Sequence, residues 1–119
     1  MLAKKHRLNL SSLKNSSIFE KGQSLLIGSE FFLAYLRSNE TGLRVACLTP
    51  KAALSKATSR NFYRRFMYSL VEEQIRNLTL SFSLKNDLVF VLKRKFSEDK
   101  NDLQKDFSAL MQKIKTKLI

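Results

Sequence analysis

Leu43-Arg44-Val45-Ala46-Cys47-Leu48-Thr49-Pro50 alternates its side chains as a strand does, up to the only proline of the chain. Pro50 ends the strand, having no N–H to give a ladder. From Ala52 to Arg76 there is neither Gly nor Pro, and Phe62, Phe66 and Leu70 fall one helical turn apart. The period has changed from two to 3.6, so a long helix follows. Asp87-Leu88-Val89-Phe90-Val91-Leu92 is then almost continuously apolar, the mark of a strand covered on both faces and placed centrally in its sheet. Strand, long helix and central strand together give an α+β fold.

Working outward, residues 1–9 are basic and without pattern, and read as a mobile basic arm. Leu10 to Lys21 reads as a short helix, capped at Ser11-Ser12 and stopped by Gly22. Gln23 to Ile27 is a short strand, and Gly28-Ser29 turns the chain into the aromatic strand Glu30 to Arg37. Ser38-Asn39-Glu40-Thr41-Gly42 is a cluster of turn formers, so the strand from Leu43 to Thr49 is expected to pair antiparallel with its predecessor. Asn77 to Asn86 reads as a loop, although Leu78, Leu80, Phe82 and Leu84 alternate. Past Lys93-Arg94-Lys95, Ser97 is the expected cap of a final helix whose first turn carries Glu98 and Asp99. Leu103, Phe107, Leu110, Met111 and Ile114 form its apolar face. Residues 1–119 thus read as one two-layer domain, a four-stranded sheet with about three helices in the order α-β-β-β-α-β-α. No repeat or linker divides it.

A chain of 119 residues with 44% hydrophobic content can bury a core without disulfide or metal. One cysteine, Cys47, cannot staple it, and it sits where a thiol behaves as a small buried hydrophobe. The start of the chain lacks the apolar core of a secretion signal, and no apolar run is long enough to span a bilayer. These readings point to the cytoplasm and away from a membrane. Lys and Arg number 22 against 10 acids, a formal charge of +12, which repels itself unless an anionic partner neutralises it. Nucleic acid is the expected partner.

The charge is also unevenly placed. Between Glu40 and Glu72 there is no acid, while Arg44, Lys51, Lys56, Arg60, Arg64 and Arg65 all lie there. At about 100° per residue, with Arg60 at zero, Arg64 falls near 40°, Tyr68 near 80°, Asn61 near 100° and Arg65 near 140°. Phe62, Phe66, Leu70 and Tyr63 fall between about 200° and 300°. A solvated helix face normally mixes its signs to gain i,i+4 pairs, and this one does not. Arginine with Asn61 and Tyr68 beside it suits bidentate phosphate contact and contact with base or ribose.

This pattern resembles the protein component of bacterial ribonuclease P. That family has an Arg-Val strand, a short basic linker, and an Arg-Asn-Arg opening followed one turn later by a basic pair. Here the corresponding residues are Leu43-Arg44-Val45, Thr49-Pro50-Lys51, and Lys56 through Arg60-Asn61-Phe62-Tyr63-Arg64-Arg65. His6-Arg7-Leu8, Ile18-Phe19-Glu20-Lys21-Gly22, the aromatic strand to Tyr35, the strand Leu88 to Leu92 and the last helix extend the similarity along the chain. Phe62 stands where the family usually has Arg, Tyr68 where another Arg is common, Ser55 near a usual Gly, and Asn15 where an aromatic is frequent.

The resemblance implies a ribosomal-protein-like fold with a left-handed βαβ crossover, against the general right-handed rule. It implies a subunit that binds a large catalytic RNA and the 5′ leader of precursor tRNA, and assists removal of that leader. In the family the RNA performs the hydrolysis, with Mg²⁺ held mainly by RNA, and no obligate protein partner is needed. Arg60, Asn61, Arg64, Arg65, Lys51, Lys56, Tyr68 and Arg44 are then the expected RNA contacts. Phe19 and Tyr35 are the expected leader cleft.

Two other readings compete. A ribosomal or other structured-RNA-binding protein would share the basic α+β character but not the ordered motif. An independent nuclease would need a His pair or converging carboxylates. His6 stands alone, where an RNA contact is expected, and Asp99, Asp102 and Asp106 read as solvation and capping. No catalytic residue is expected in the chain.

Overall fold

The computed structural model describes residues 2–11, 13–20, 22–77 and 79–118, with only the backbone at 13 and 14. Ser12, half of the expected first cap, and Lys21 and Leu78 of the expected elements lie outside the described residues. The strands are β1 (Leu25–Gly28), β2 (Phe32–Ser38), β3 (Arg44–Leu48) and β4 (Asn86–Leu92). The helices are α1 (Leu13–Ser16), α2 (Ala57–Arg76) and α3 (Lys100–Ile114). The first of the three expected helices is a single turn, continued by a 3₁₀ turn over Ser17–Phe19. Gly22 follows with φ of +83°, a left-handed conformation that glycine adopts without strain.

The sheet order is β1-β2-β4-β3. β4 lies between β2, to which it is antiparallel, and β3, to which it is parallel, so it is indeed central. The expected antiparallel pairing of β3 with β2 does not form. The turn at 38–42 redirects the chain instead: the Asn39 side-chain oxygen accepts from the N–H groups of Thr41 and Gly42, both at 3.0 Å. Gly42, at φ +127°, approaches the Phe82 carbonyl so closely that a Cβ would sit 3.3 Å from it. Local turn chemistry thus steps the strand sideways by one place and leaves a slot for β4.

Alternation along the strands separates two cores. Phe32, Ala34, Leu36, Val45, Cys47, Leu88, Phe90 and Leu92 face the helix layer and meet Leu103, Phe107, Leu110, Met111 and Ile114 of α3. Phe107 packs edge-on to Phe32, with centroids 5.5 Å apart, and against Phe90 at 4.9 Å. Every residue expected on the apolar face of α3 is buried. The cap of α3 is Asp99, which accepts from Asn101 N–H at 2.8 Å. Ser97, the expected cap, braces it by accepting from Asp99 N–H at 3.1 Å. Behind the sheet, Leu8, Ile18, Ala46 and Val89 form a smaller second cluster.

The start of the chain is not a free arm. Leu2 and Leu8 are buried, Leu8 N–H donates to Val45 O at 2.9 Å, and Arg7 bridges Val45 in parallel. His6 donates through Nδ1 to Leu43 O at 2.9 Å and stacks on Phe82 at 4.1 Å. Two leucines among the basic residues supply the burial that holds this segment to the β3 edge.

Candidate nucleic-acid interface

Leading into α2, Pro50 O accepts from Ala53 N–H at 3.0 Å and Leu54 N–H at 3.1 Å, which curls the linker into a turn. Arg60 then reaches back, donating through Nη1 to Leu54 O at 3.0 Å and Ser55 O at 2.8 Å. Thr49, at the end of β3, donates through its hydroxyl to Arg60 O at 3.0 Å. Arg60 is one of the expected RNA contacts. It instead ties strand, linker and helix together, with its guanidinium directed at carbonyls of its own chain. Lys51 and Lys56 are left exposed on the linker so formed.

The buried arc of α2 is Met67, Tyr68, Leu70, Val71 and Gln74. Relative to the arc expected from Phe62, Phe66 and Leu70, the helix is turned by about a quarter of its circumference. Tyr68 pays for that rotation: it is buried against β3, with its hydroxyl at the Cys47 backbone, and cannot stand on an RNA-facing surface. Burial, and then the neighbouring Cys47, push its phenol above the ordinary value. Cys47 itself is fully buried and its thiol is pushed up strongly by desolvation. Conversely Phe62, expected inside, is 49% exposed. The solvent arc carries Thr58, Asn61, Phe62, Arg64, Arg65, Ser69 and Arg76, with Asn61 and Arg64 hydrogen-bonded to each other. Its first turn holds no acid, so the positive end of the helix dipole adds to the cationic field.

Arg44 is employed elsewhere. It grips Asp87 through Nε to Oδ1 at 2.8 Å and Nη2 to Oδ2 at 3.0 Å. Arg37 Nη2 donates to Asp87 Oδ2 at 3.2 Å, and Asn39 Nδ2 to Oδ1 at 2.7 Å. Asp87 is 1% exposed, so a carboxylate buried at the start of the central strand collects two arginines from the strands on either side. Sequence reading placed Asp87 merely at the head of an apolar run. The usable signal was Arg37 and Arg44 at strand ends flanking a turn.

On the face of the sheet away from the helices, Phe19 stands edge-on to Tyr35 with centroids 5.0 Å apart. Tyr35 faces Leu26 on β1 and Val89 on β4, and the next row is Leu33, Val91 and Leu48. Phe19 is 40% exposed, and Leu33, Tyr35, Leu48 and Val91 are partly so. The two residues expected to form a cleft are brought together, on a shallow apolar floor across the sheet from α2.

The carboxylates on α3 are occupied with local structure. Asp102 accepts from Ser97 Oγ at 2.9 Å, and Asp106 accepts from Ser29 Oγ at 2.7 Å, Phe31 N–H at 2.9 Å and Glu30 N–H at 3.1 Å, pinning the β1–β2 turn. Among the described residues no three His, Cys, Asp or Glu side chains gather as metal ligands. No described helix is long and apolar enough to cross a membrane.

A mixed sheet with a cationic helix on one side and an open apolar floor on the other defines a small α+β domain of the structured-RNA-binding kind. The chain belongs to the ribonuclease P protein family, whose model, described as "Ribonuclease P", matches residues 2–115. Members of the family are the protein subunit of the tRNA-processing ribonucleoprotein ribonuclease P, and this chain has that role. Its fold is similar to the RNase P protein of Thermotoga maritima, at TM-score 0.72 and 21% identity over 91% of this chain and 96% of that one. The same protein in complex with 1-(4-fluorophenyl)-2-thiourea gives 0.71 and 23%, over 91% and 99%. A Staphylococcus aureus RNase P protein mutant with defective mRNA degradation activity gives 0.70 and 14%, over 98% and 92%. A search of curated proteins finds no match.

Proposed function

We propose that this subunit binds the catalytic RNA of ribonuclease P through Asn61, Arg64, Arg65, Lys51 and Lys56, and receives the 5′ leader of precursor tRNA on the floor around Phe19 and Tyr35. The observation that carries the proposal is the exposed face of α2 from Thr58 to Ser69, cationic and without an acid, presented on a linker that Arg60 holds rigid. Guanidinium and ammonium groups on that arc neutralise phosphates and release counterions, which gives affinity without sequence preference. Arg60, Arg44 and Tyr68 act behind this surface by shaping it. Phe19 and Tyr35 offer ring faces and edges to unpaired leader bases, which stack without regard to sequence.

Asp87, Asp99, Asp102 and Asp106 are engaged by arginines, caps and turns, and among the described residues no three His, Cys, Asp or Glu side chains gather, so they do not fit a Mg²⁺ site. In this reading Mg²⁺ would be held by RNA and would supply activation of water there, and the protein is an accessory subunit with no catalytic residue. It needs no obligate protein partner and works in the cytoplasm. The test mixes the chain with a bacterial ribonuclease P RNA and precursor tRNA at low Mg²⁺. Faster leader removal is expected. No stimulation by the protein sinks the reading, and cleavage by the protein without RNA sinks its account of the chemistry.

A further inference from the structure

Phe62 is a large apolar side chain left half exposed in the middle of a cationic surface. Around it lies an open notch of about 550 Å³ between α2 and the start of α3, lined by Thr58, Asn61, Arg65, Phe66, Ser69 and Lys100. That volume is in the range of roughly 300–1,000 Å³ found for small-ligand clefts. The Lys100 ammonium lies 4.8 Å from the Phe62 ring centre and 5.5 Å from that of Phe66. Tyr63 braces Phe62 edge-on at 5.1 Å and is itself braced by Phe96 at 5.0 Å. The ring is therefore held upright at the helix surface. No acid lines the notch; of the acids at the start of α3, Asp99 accepts from Asn101 N–H, Asp102 accepts from Ser97 Oγ, and Glu98 lies near Tyr63.

We infer that this notch binds one unpaired nucleotide of the RNA subunit, with its base stacked on Phe62 and its phosphate taken by Arg65 and Lys100. The inference rests on the proposed docking of α2 on RNA and names a contact within it. A base needs a flat apolar face, polar groups near its edge and cations near its phosphate, and the notch supplies Phe62, then Asn61, Thr58 and Ser69, then Arg65 and Lys100. A duplex cannot use such a site, because its bases are stacked on one another and only an unstacked base can lie on the ring. In the free protein Lys100 covers the rings from a flexible four-carbon stem, a weak contact at an exposed site. A stacking base displaces it outward, toward the phosphate.

The experiment uses the full chain with a bacterial ribonuclease P RNA. Phe62→Ala is expected to weaken binding about tenfold with an unchanged salt slope, since stacking releases no counterion. Phe62→Tyr is expected to restore the affinity. Phe62→Arg is expected to steepen the slope by about one phosphate contact without replacing the stack. With photoreactive benzoylphenylalanine at 62, cross-linking is expected at one nucleotide unpaired in the RNA. Thermal melting of each variant checks that the fold is intact, as the half-exposed position predicts. Wild-type affinity for Phe62→Ala, or cross-links confined to paired RNA, overturns the inference. If the wild-type chain itself does not bind the RNA, the reading of α2 as the docking surface has failed instead.

Discussion

Arg44 and Arg65 carry the same guanidinium and serve opposite ends. Arg44 lies at the head of the edge strand β3 and grips a buried carboxylate on the central strand at 2.8 and 3.0 Å. Arg65 stands on the open arc of α2, beside Asn61 and Phe62 at the rim of a notch that contains no acid. The difference is whether the fold brings an anion to the arginine or leaves the anion to be supplied from outside. Arg60 is a third case, satisfied by backbone carbonyls at the hinge between the two regions. Positive charge along a sequence therefore overstates the binding surface, because part of it is consumed in holding that surface together.

The comparison is broken most directly at Asp87. Asp87→Ala leaves two arginines and Asn39 without their common partner, and is expected to cost about 2–4 kcal/mol. That is below the loss for a fully buried pair, since both arginines keep some solvent contact. Urea unfolding measures it, and a loss under about 0.5 kcal/mol would mean that the cluster is ornamental. Arg44→Ala comes next, at about 1–2 kcal/mol of stability, with the salt slope of RNA binding unchanged. A shallower slope in that variant would return Arg44 to the RNA surface.

Arg65→Ala is the mirror experiment. Its melting point should hold, while RNA affinity falls roughly five- to tenfold and the salt slope drops by about one contact. Loss of stability without loss of slope would place Arg65 in the scaffold. The smallest effect concerns the thiol beneath α2. Burial keeps Cys47 protonated in the folded chain, whereas the unfolded chain ionises near the ordinary thiol value, so stability is present below that value and falls as pH rises past it. Comparing alkaline unfolding of wild type and Cys47→Ala isolates this slope. Parallel curves above pH 9 would show that the thiol is not shielded.

The large elements were legible because their periods were long and unbroken. α3 shows all five apolar positions buried as its spacing demanded, and the continuous run at Leu88–Leu92 announced a central strand. Pairing was not legible, because a turn at 38–42 reads as a hairpin whether its strands lie side by side or one place apart. The rotation of α2 escaped for a related reason. Phe62, Phe66 and Leu70 mark an apolar stripe, but Phe62 lies half exposed with Lys100 over its ring and Phe66 is only partly buried against the core. Tyr68 takes the place beneath, an aromatic body with a polar tip that fits either side of a helix. Lys51, Lys56, Asn61, Arg64 and Arg65 lie exposed, whereas the own-chain partners of Arg44 and Arg60 and the burial of Tyr68 come from distant or irregular segments that a single run of sequence does not display.

The position of β4 also orders events in time. A chain emerging residue by residue presents β1 and β2 as one pair and β3 with α2 as another, and neither pair shares an edge with the other until Asn86–Leu92 appears. That strand brings Asp87 to both arginines and closes the sheet in the same step. Pairings this far apart along the chain are slow to form. A nascent fragment ending short of residue 86 accordingly holds the cations of the α2 surface without the strand that closes the sheet beneath them.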